Sequence, residues 1–493
     1  MTVTQPGQLD MVIGGELVGA LSGDRFDVVN PATLRVCASV PFGTEQDVDR
    51  AVAAATRALP AWRAAPATQR GELIAALARL LEARADEFAA AETAHNGKTL
   101  ADARFDVDST VACLDYYAGT ANKAYGQTIP AHDGYLVYTL REPVGVCGLI
   151  VPWNFPLAIA VWKLGPALAA GNTVIIKPAS ETPLTALMLG ALADQAGFPP
   201  GVINVVTGPG SRAGHRLVTH PDVAKISLTG ETSTGQTIMR EAAATLKRVT
   251  LELGGKSPAL VFADADLDLA VDGSLFQIFA NAGQVCDARS RIFVQDAVYD
   301  EFVSRFAERA GRLRVGDPTD PASHIGAITS ARQLEKIRQY VEIGQHEGAK
   351  LVCGGTIADE LAAGGPGLFH RPTVFADVDN SMRIAREEIF GPVACLGRFS
   401  DYDDGIGKAN DTPYGLAATV WTTDLSTAHL AAAEIRAGGV WVNTSEFLFN
   451  EAPFGGVKAS GYGRELSMHG LDAYTEVKNV GIRLAGPMPS FEL

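Results

Sequence analysis

Apolar residues recur along this chain at two periods. From Thr44 to Trp62 they follow a helical period, with Thr44 placed as N-cap and acidic residues in the first turn. A second helical segment is predicted from Thr68 to His95, with Leu73, Leu77, Leu80 and Leu81 on one face and a stop at Asn96-Gly97. Between Gly145 and Glu252 the pattern changes. Short β-rich runs at Val146–Val151, Thr173–Lys177, Ile203–Val206, Lys225–Leu228 and Arg248–Leu251 alternate with segments of helical length. That alternation predicts a parallel sheet covered by helices on both faces. A second alternating region runs from Pro258 to about Asn443, with strands expected at Ile292–Val294, Leu351–Cys353, Ala417–Trp421 and Val440–Val442. Tyr125 to Glu142 alternates as a β-hairpin does, and Tyr474 to Leu484 is strand-like. No internal repeat or low-complexity segment interrupts the pattern.

One stretch imitates a membrane span. Val144 to Trp162 carries no charged side chain and is long enough to cross a bilayer. Pro152 and Pro156 bracket Asn154 at its centre, where a lipid-exposed break would strand backbone polar groups. A buried strand, a turn and a helix start explain it, so no membrane association is expected.

Composition narrows the class further. The 493 residues exceed what one core serves, so two or three structural units are expected. Lysine and arginine number 41 against 56 acidic residues, a net charge of −15 without a basic cluster, which argues against a nucleic-acid partner or a polybasic membrane anchor. Met1 to Asp10 contains no secretory signal pattern. Cysteines 37, 113, 147, 286, 353 and 395 lie far apart, without CxxC pairs or zinc-ligand spacing, so no metal is expected. Dispersed thiols fit a reducing, cytoplasmic setting.

Certain residues stand where chemistry would need them. Cys286 follows Gly283-Gln284 in a segment of little apolar periodicity, as an exposed turn would. Glu252 ends a strand before Gly254-Gly255, where the backbone can turn sharply and the carboxylate can face a cleft. Gly230-Glu231-Thr-Ser-Thr-Gly235 follows a strand and opens a helix, an arrangement suited to a pyrophosphate. Gly208-Pro-Gly210 reads instead as a strand-to-helix turn. Each alone has a plain alternative: a core thiol, a surface ion-pair partner, a turn.

Four segments in order remove that ambiguity: Pro152-Trp-Asn-Phe-Pro156, Leu251-Glu-Leu-Gly-Gly-Lys-Ser-Pro258, Gly283-Gln-Val-Cys286 and Glu387-Glu-Ile-Phe-Gly-Pro392. With them the chain resembles the aldehyde dehydrogenase superfamily from about Asp24 to Val480, somewhat like its betaine and amino-aldehyde members. The resemblance implies oxidation of an aldehyde to a carboxylic acid with NAD or NADP. It makes Cys286 the nucleophile that forms a thiohemiacetal and then a thioester, and Asn154 an oxyanion donor. Glu252 becomes the base that activates water, which argues for hydrolysis rather than transfer to coenzyme A. Lys163 and Glu465 match positions proposed to relay protons, or form a buried ion pair. Cofactor contacts are implied for Trp153, Lys177, Ser180, Gly230, Glu231, Gly235, Glu388 and Phe390.

One departure concerns the cofactor. Lys177-Pro-Ala-Ser180 has a neutral hydroxyl where relatives that prefer NAD usually carry Glu, with Glu181 next. Relief of repulsion predicts that NADP is accepted. Glu231 pulls the other way.

The implied architecture is α/β: a doubly wound, Rossmann-like cofactor domain (1–121 and 143–253), a second α/β catalytic domain (254–454), and a β-hairpin arm with the tail (122–142 and 455–493) for oligomerisation. A homodimer or homotetramer follows from pairing of exposed strand edges. Around the substrate, Asp106, Asp108, Trp162, Asp287, Glu446, Phe447, Leu448 and Phe454, with Tyr116-Tyr117, predict an aromatic funnel bearing negative charge. Arg289 is the competing carboxylate binder. The substrate expected is a neutral aliphatic or aromatic aldehyde or an amino-aldehyde, the alternatives being a succinic-semialdehyde-type substrate or a non-catalytic binding protein on this scaffold.

Overall fold

The computed structural model describes residues 7–356, 367–445, 448–486 and 491. Two large sheets dominate it. Along the first, Gly461–Tyr462, Arg248–Glu252, Lys225–Thr229 and Val146–Ile150 lie side by side, followed by Thr173–Lys177, Ile203–Val205, Met11–Ile13 and Glu16–Val18. The five strands from Val146 to Glu252 pair in parallel. Chain order reverses between Val146–Ile150 and Lys225–Thr229. Ligands of open α/β sheets bind at the carboxyl ends of the strands at such a switch. The loops leaving those two strands carry Trp153-Asn154 and Gly230-Glu231.

The second sheet runs Lys350–Cys353, Thr373–Ala376, Val393–Phe399, Arg291–Gln295, Pro258–Val261, Ala417–Trp421 and Gly439–Val442. Its strands Arg291–Gln295 and Val393–Phe399 begin just after Cys286 and Glu388. The strand ends of the first sheet and the strand beginnings of the second therefore supply one cleft.

The charge-free stretch is the strand Val146–Ile150 and the helix Pro156–Ala170. Pro156 starts that helix and Gly171 ends it in the left-handed region (φ 94°). All 15 of its residues are buried, Lys163 among them. Among the described residues no helix is long and apolar enough to cross a membrane.

The first predicted helix spans Glu45–Ala64 with a Thr44/Asp47 capping box. The second is two helices, Ala67–Ala83 and Ala85–Asn96, broken at Arg84 (φ −117°, ψ 20°). The break redirects the chain so that Leu77, Leu81 and Phe88 are all fully buried in one core. The hairpin is Thr128–Ile129 with Tyr135–Pro143, and Thr475–Arg483 pairs antiparallel with the latter over nine residues. The rest of the tail behaves differently: Gly461–Tyr462 extends the first sheet beside Leu251 and Glu252, and Phe454 bridges to Glu465.

Candidate active site

Cys286 sits after an unusual turn. Asn281, Ala282 and Gly283 are all left-handed (φ 47°, 55° and 71°), a conformation costly for the first two. A web of buried amides holds it. Asn281 Nδ2 donates to the Asn154 carbonyl at 3.0 Å, and Asn154 Nδ2 donates to the Gln284 carbonyl at 2.9 Å. Gln284 Nε2 donates to the Asn281 carbonyl at 3.1 Å, while its Oε1 accepts from Thr329 N at 3.0 Å. Asn96 Nδ2 donates to the Trp153 carbonyl at 2.8 Å. The Asn154 loop and the Cys286 loop are thus fixed to one another. Asn96 was legible only as a helix stop, and Asn281, Gln284 and Thr329 are polar positions that no spacing rule singles out.

Cys286 lies in the walls of two cavities. The larger, of about 580 Å³, is also lined by Trp153, Asn154, Gly230, Glu231, Glu252, Glu388 and Phe390. Gly255 is required there, since a Cβ on it would lie 2.6 Å from the Cys286 carbonyl oxygen, and a Cβ on Gly254 would displace the Glu388 carboxylate, 2.3 Å away. Gly255 N donates to Glu388 Oε1 at 3.0 Å. Phe390 adopts φ 62° and meets Trp153 edge-to-face at 5.1 Å, its carbonyl held by Gln333 Nε2 at 2.8 Å. The helix Thr232–Ala242 begins at this cleft, and Gly235 lets it close on Leu253, 2.6 Å from where a Cβ would stand. A glycine-opened helix N-terminus, a cleft of this size and a carboxylate on its far wall fit a dinucleotide.

Three predicted cofactor residues stand off that wall: Gly235, buried within its helix, Lys177 and Ser180. Lys177 is 5% exposed at the end of its strand, and burial lowers its ammonium pKa to about 8. Ser180 Oγ donates to the Gly208 carbonyl at 3.4 Å, whereas Glu181 lines the cleft.

Glu252 is buried with neither carboxylate oxygen hydrogen-bonded. Burial, reinforced by Glu465, raises its pKa well above the ordinary carboxylate range; Lys163 and Arg464 oppose this. The buried setting thus favours its neutral form. Lys163 is ion-paired with Glu465, and Ser227 Oγ lies 3.2 Å from Lys163 Nζ and donates to Glu465 Oε1 at 3.2 Å. The Cys286 thiol is likewise pushed well above its usual range, by burial first and then by Asp287, Glu388 and Glu252.

The second cavity is apolar. Phe155, Ile159, Trp162, Val285, Leu448 and Phe454 are among its walls, with Trp162 and Phe454 in edge contact at 5.5 Å. The aromatic funnel is present but its expected charge is not free. Asp106 is 4% exposed and ion-paired with Lys98, which also lies over the Phe155 ring at 4.4 Å. Asp108 turns outward to Arg104 at 3.1 Å. Asp287 is paired with Arg289 at 2.7 Å, so the proposed attractor and its competitor neutralise one another. Tyr117 is fully buried against Gly165, donating to the Ser467 carbonyl at 3.2 Å, and lies outside the funnel. Glu446 and Phe447 lie outside the described residues.

A cysteine at the meeting point of a dinucleotide-sized cleft and an apolar funnel, with a buried glutamate beside it, defines a thiol-based dehydrogenase site. The Aldehyde dehydrogenase family model matches residues 18–480. The chain is 48% identical over 479 residues to aldehyde dehydrogenase 1A1 of Mus musculus, covering 96% of this chain and 94% of that one. To the mitochondrial aldehyde dehydrogenase of Homo sapiens it is 48% identical over 477 residues, covering 96% and 91%. An NAD+ complex of aldehyde dehydrogenase from Bacillus cereus superposes with a TM-score of 0.95 at 44% identity, over 97% of both chains. A point mutant of betaine aldehyde dehydrogenase from Staphylococcus aureus, in complex with NAD+, does so with a TM-score of 0.95 at 38% identity, over 97% of both. The chain belongs to the aldehyde dehydrogenase family. It is an oxidoreductase that converts aldehydes to carboxylic acids with NAD(P)+.

Proposed function

We propose that the substrate is a neutral aliphatic or aromatic aldehyde, oxidised at Cys286. The observation that carries this reading is that Cys286 borders both the polar cleft and the apolar funnel, whose Asp106 and Asp287 are paired with Lys98 and Arg289. The thiolate attacks the aldehyde carbon. The resulting oxyanion takes hydrogen bonds from the Asn154 amide, which keeps a second N–H beyond the one given to Gln284, and from the Cys286 backbone. NAD(P)+ held in the cleft would supply the hydride acceptor for oxidation of the thiohemiacetal to a thioester. Glu388, Trp153 and Phe390 would hold the nicotinamide end, and Gly230, Glu231 and Gly235 the pyrophosphate. Lys177 and Ser180 would serve the adenine ribose. Glu252 gives up its proton through the Lys163–Glu465–Ser227 cluster and then draws one from water, which hydrolyses the thioester to acid and free thiol.

An amino-aldehyde is the second reading, favoured by Asp102 and Asp106 on the funnel wall. Comparison of kcat/KM for hexanal, benzaldehyde, 4-aminobutanal and succinic semialdehyde, each with NAD+ and NADP+, separates them. Hexanal and benzaldehyde are expected to lead. A clear win for 4-aminobutanal selects the second reading, and one for succinic semialdehyde overturns both. NADP+ is expected within about a hundredfold of NAD+, because Ser180 lacks the carboxylate that repels a 2′-phosphate.

The partition into a cofactor domain, a catalytic domain and an arm is our reading, supported by the two sheets and the separate three-stranded sheet of the hairpin. That arm exposes Tyr135, Leu136, Leu140, Val477 and Ile482. Burial of this surface between copies would give the homodimer or homotetramer, and light scattering at micromolar concentration is expected to report no monomer. Six free cysteines are consistent with a cytoplasmic enzyme, which fractionation of the source cells would check.

A further inference from the structure

The residue after the nucleophile carries a charge that the reaction does not call for. Asp287 is 4% exposed and borders the same funnel as Cys286. Its Oδ2 accepts from Arg289 Nη1 at 2.7 Å, and the same nitrogen donates to the Asp287 carbonyl at 2.8 Å. The guanidinium is fully buried. Its Nε donates to Thr419 Oγ1 at 3.1 Å, and it lies 4.9 Å from the Trp441 ring centre. Thr419 and Trp441 belong to adjacent strands of the second sheet. Nη2 has no hydrogen-bond partner. Two desolvated charges and an orphaned donor are a poor structural clamp, since apolar side chains of similar volume pack as well or better.

The charges around the thiol supply a reason. Glu252 reaches it from the end of Arg248–Glu252, Glu388 from the turn before Val393–Phe399, and Asp287 from its own loop. Asp102 and Asp106, on the helix Leu100–Thr120, border the same funnel. Lys98 holds Asp106, and Lys163 faces Glu465 and Glu252. Asp287 is matched by Arg289. We infer that Arg289 is a positioning residue that neutralises Asp287 beside the nucleophile and so favours the Cys286 thiolate. The inference rests on Cys286 being the nucleophile, which the Cys286→Ala assay tests separately.

The test is the rate of iodoacetamide alkylation at the Cys286 peptide, read by mass spectrometry on intact enzyme without aldehyde, from neutral to alkaline pH. Removing a neighbouring cation raises a thiol pKa by roughly one unit, and the more basic thiolate recovers part of the lost rate. Arg289→Met is therefore expected to alkylate about three- to tenfold more slowly near neutrality. Asp287→Asn should be faster by a similar factor, and the double variant should return close to wild type. A folded Arg289→Met with a wild-type pH profile, or an Asp287→Asn no faster than wild type, overturns the inference. If Arg289→Met does not fold, Asp287→Asn and the double variant decide alone.

Discussion

Cys286→Ala is expected to lose aldehyde oxidation by at least about ten-thousandfold, since removing a nucleophile that works with other groups forfeits nearly all of their joint effect. The substitution is small and sterically mild. The left-handed turn before position 286 is held by Asn281, Gln284, Asn154 and Thr329, and none of these bonds involves the thiol. Cofactor binding should persist, because the remaining cleft wall is untouched. Titration of intrinsic fluorescence with NAD+ and NADP+, alongside the oxidation assay, checks both halves. Turnover near wild type would remove Cys286 from the mechanism.

Glu252→Gln should separate the two halves of the reaction. Formation of the thioester does not need the water-activating base, so one equivalent of reduced cofactor should appear in a burst. Steady turnover should then fall by about a hundred- to ten-thousandfold as hydrolysis stalls. Stopped-flow absorbance of reduced cofactor measures both phases, and unimpaired steady turnover would contradict the base assignment. The pH dependence has a definite sign. Burial and Glu465 raise the pKa of Glu252, so wild-type hydrolysis should climb with pH along an acid limb lying above the ordinary carboxylate range. The glutamine variant should lack this acid limb. Stability changes in the opposite direction. A carboxyl raised in the folded state contributes stability that is complete below its unfolded pKa and is lost as pH rises through the folded one. Thermal melts at alkaline pH should therefore favour Glu252→Gln over wild type.

The legible parts of this protein were those whose causes are local. Thr173–Lys177 and Ala417–Trp421 match their strands to the residue, because each is a short apolar run bounded by turn signals. The break at Arg84 was hidden, since arginine is a good helix former and nothing nearby announces a stop. Four motifs brought Cys286, Glu252, Asn154 and Glu388 into view, and the fold gathers them around one cleft. The funnel's charge was misread for a physical reason. Asp106 and Asp287 look free on paper, yet their fields are cancelled by Lys98, eight residues earlier, and Arg289, two residues later. Pairing of that kind depends on which way side chains turn, and composition does not record it. The amide web was hidden likewise, since Asn96 and Thr329 lie 233 positions apart in the chain.

The helix Pro156–Ala170 sets an order of assembly. Its one ammonium, on Lys163, is wholly enclosed and is answered by Glu465, 302 residues downstream. Until that partner is synthesised the helix must either keep Lys163 in contact with water or bury an unmatched charge, at a cost of about 3–5 kcal/mol. Gly461–Tyr462 adds the terminal strand of the same sheet, and Asn172 donates to the Tyr474 carbonyl at 3.0 Å. The half of the chain that leaves the ribosome first thus waits on the half that leaves last. Release of the C-terminal segment, rather than emergence of the first sheet, is the event that lets this molecule become native.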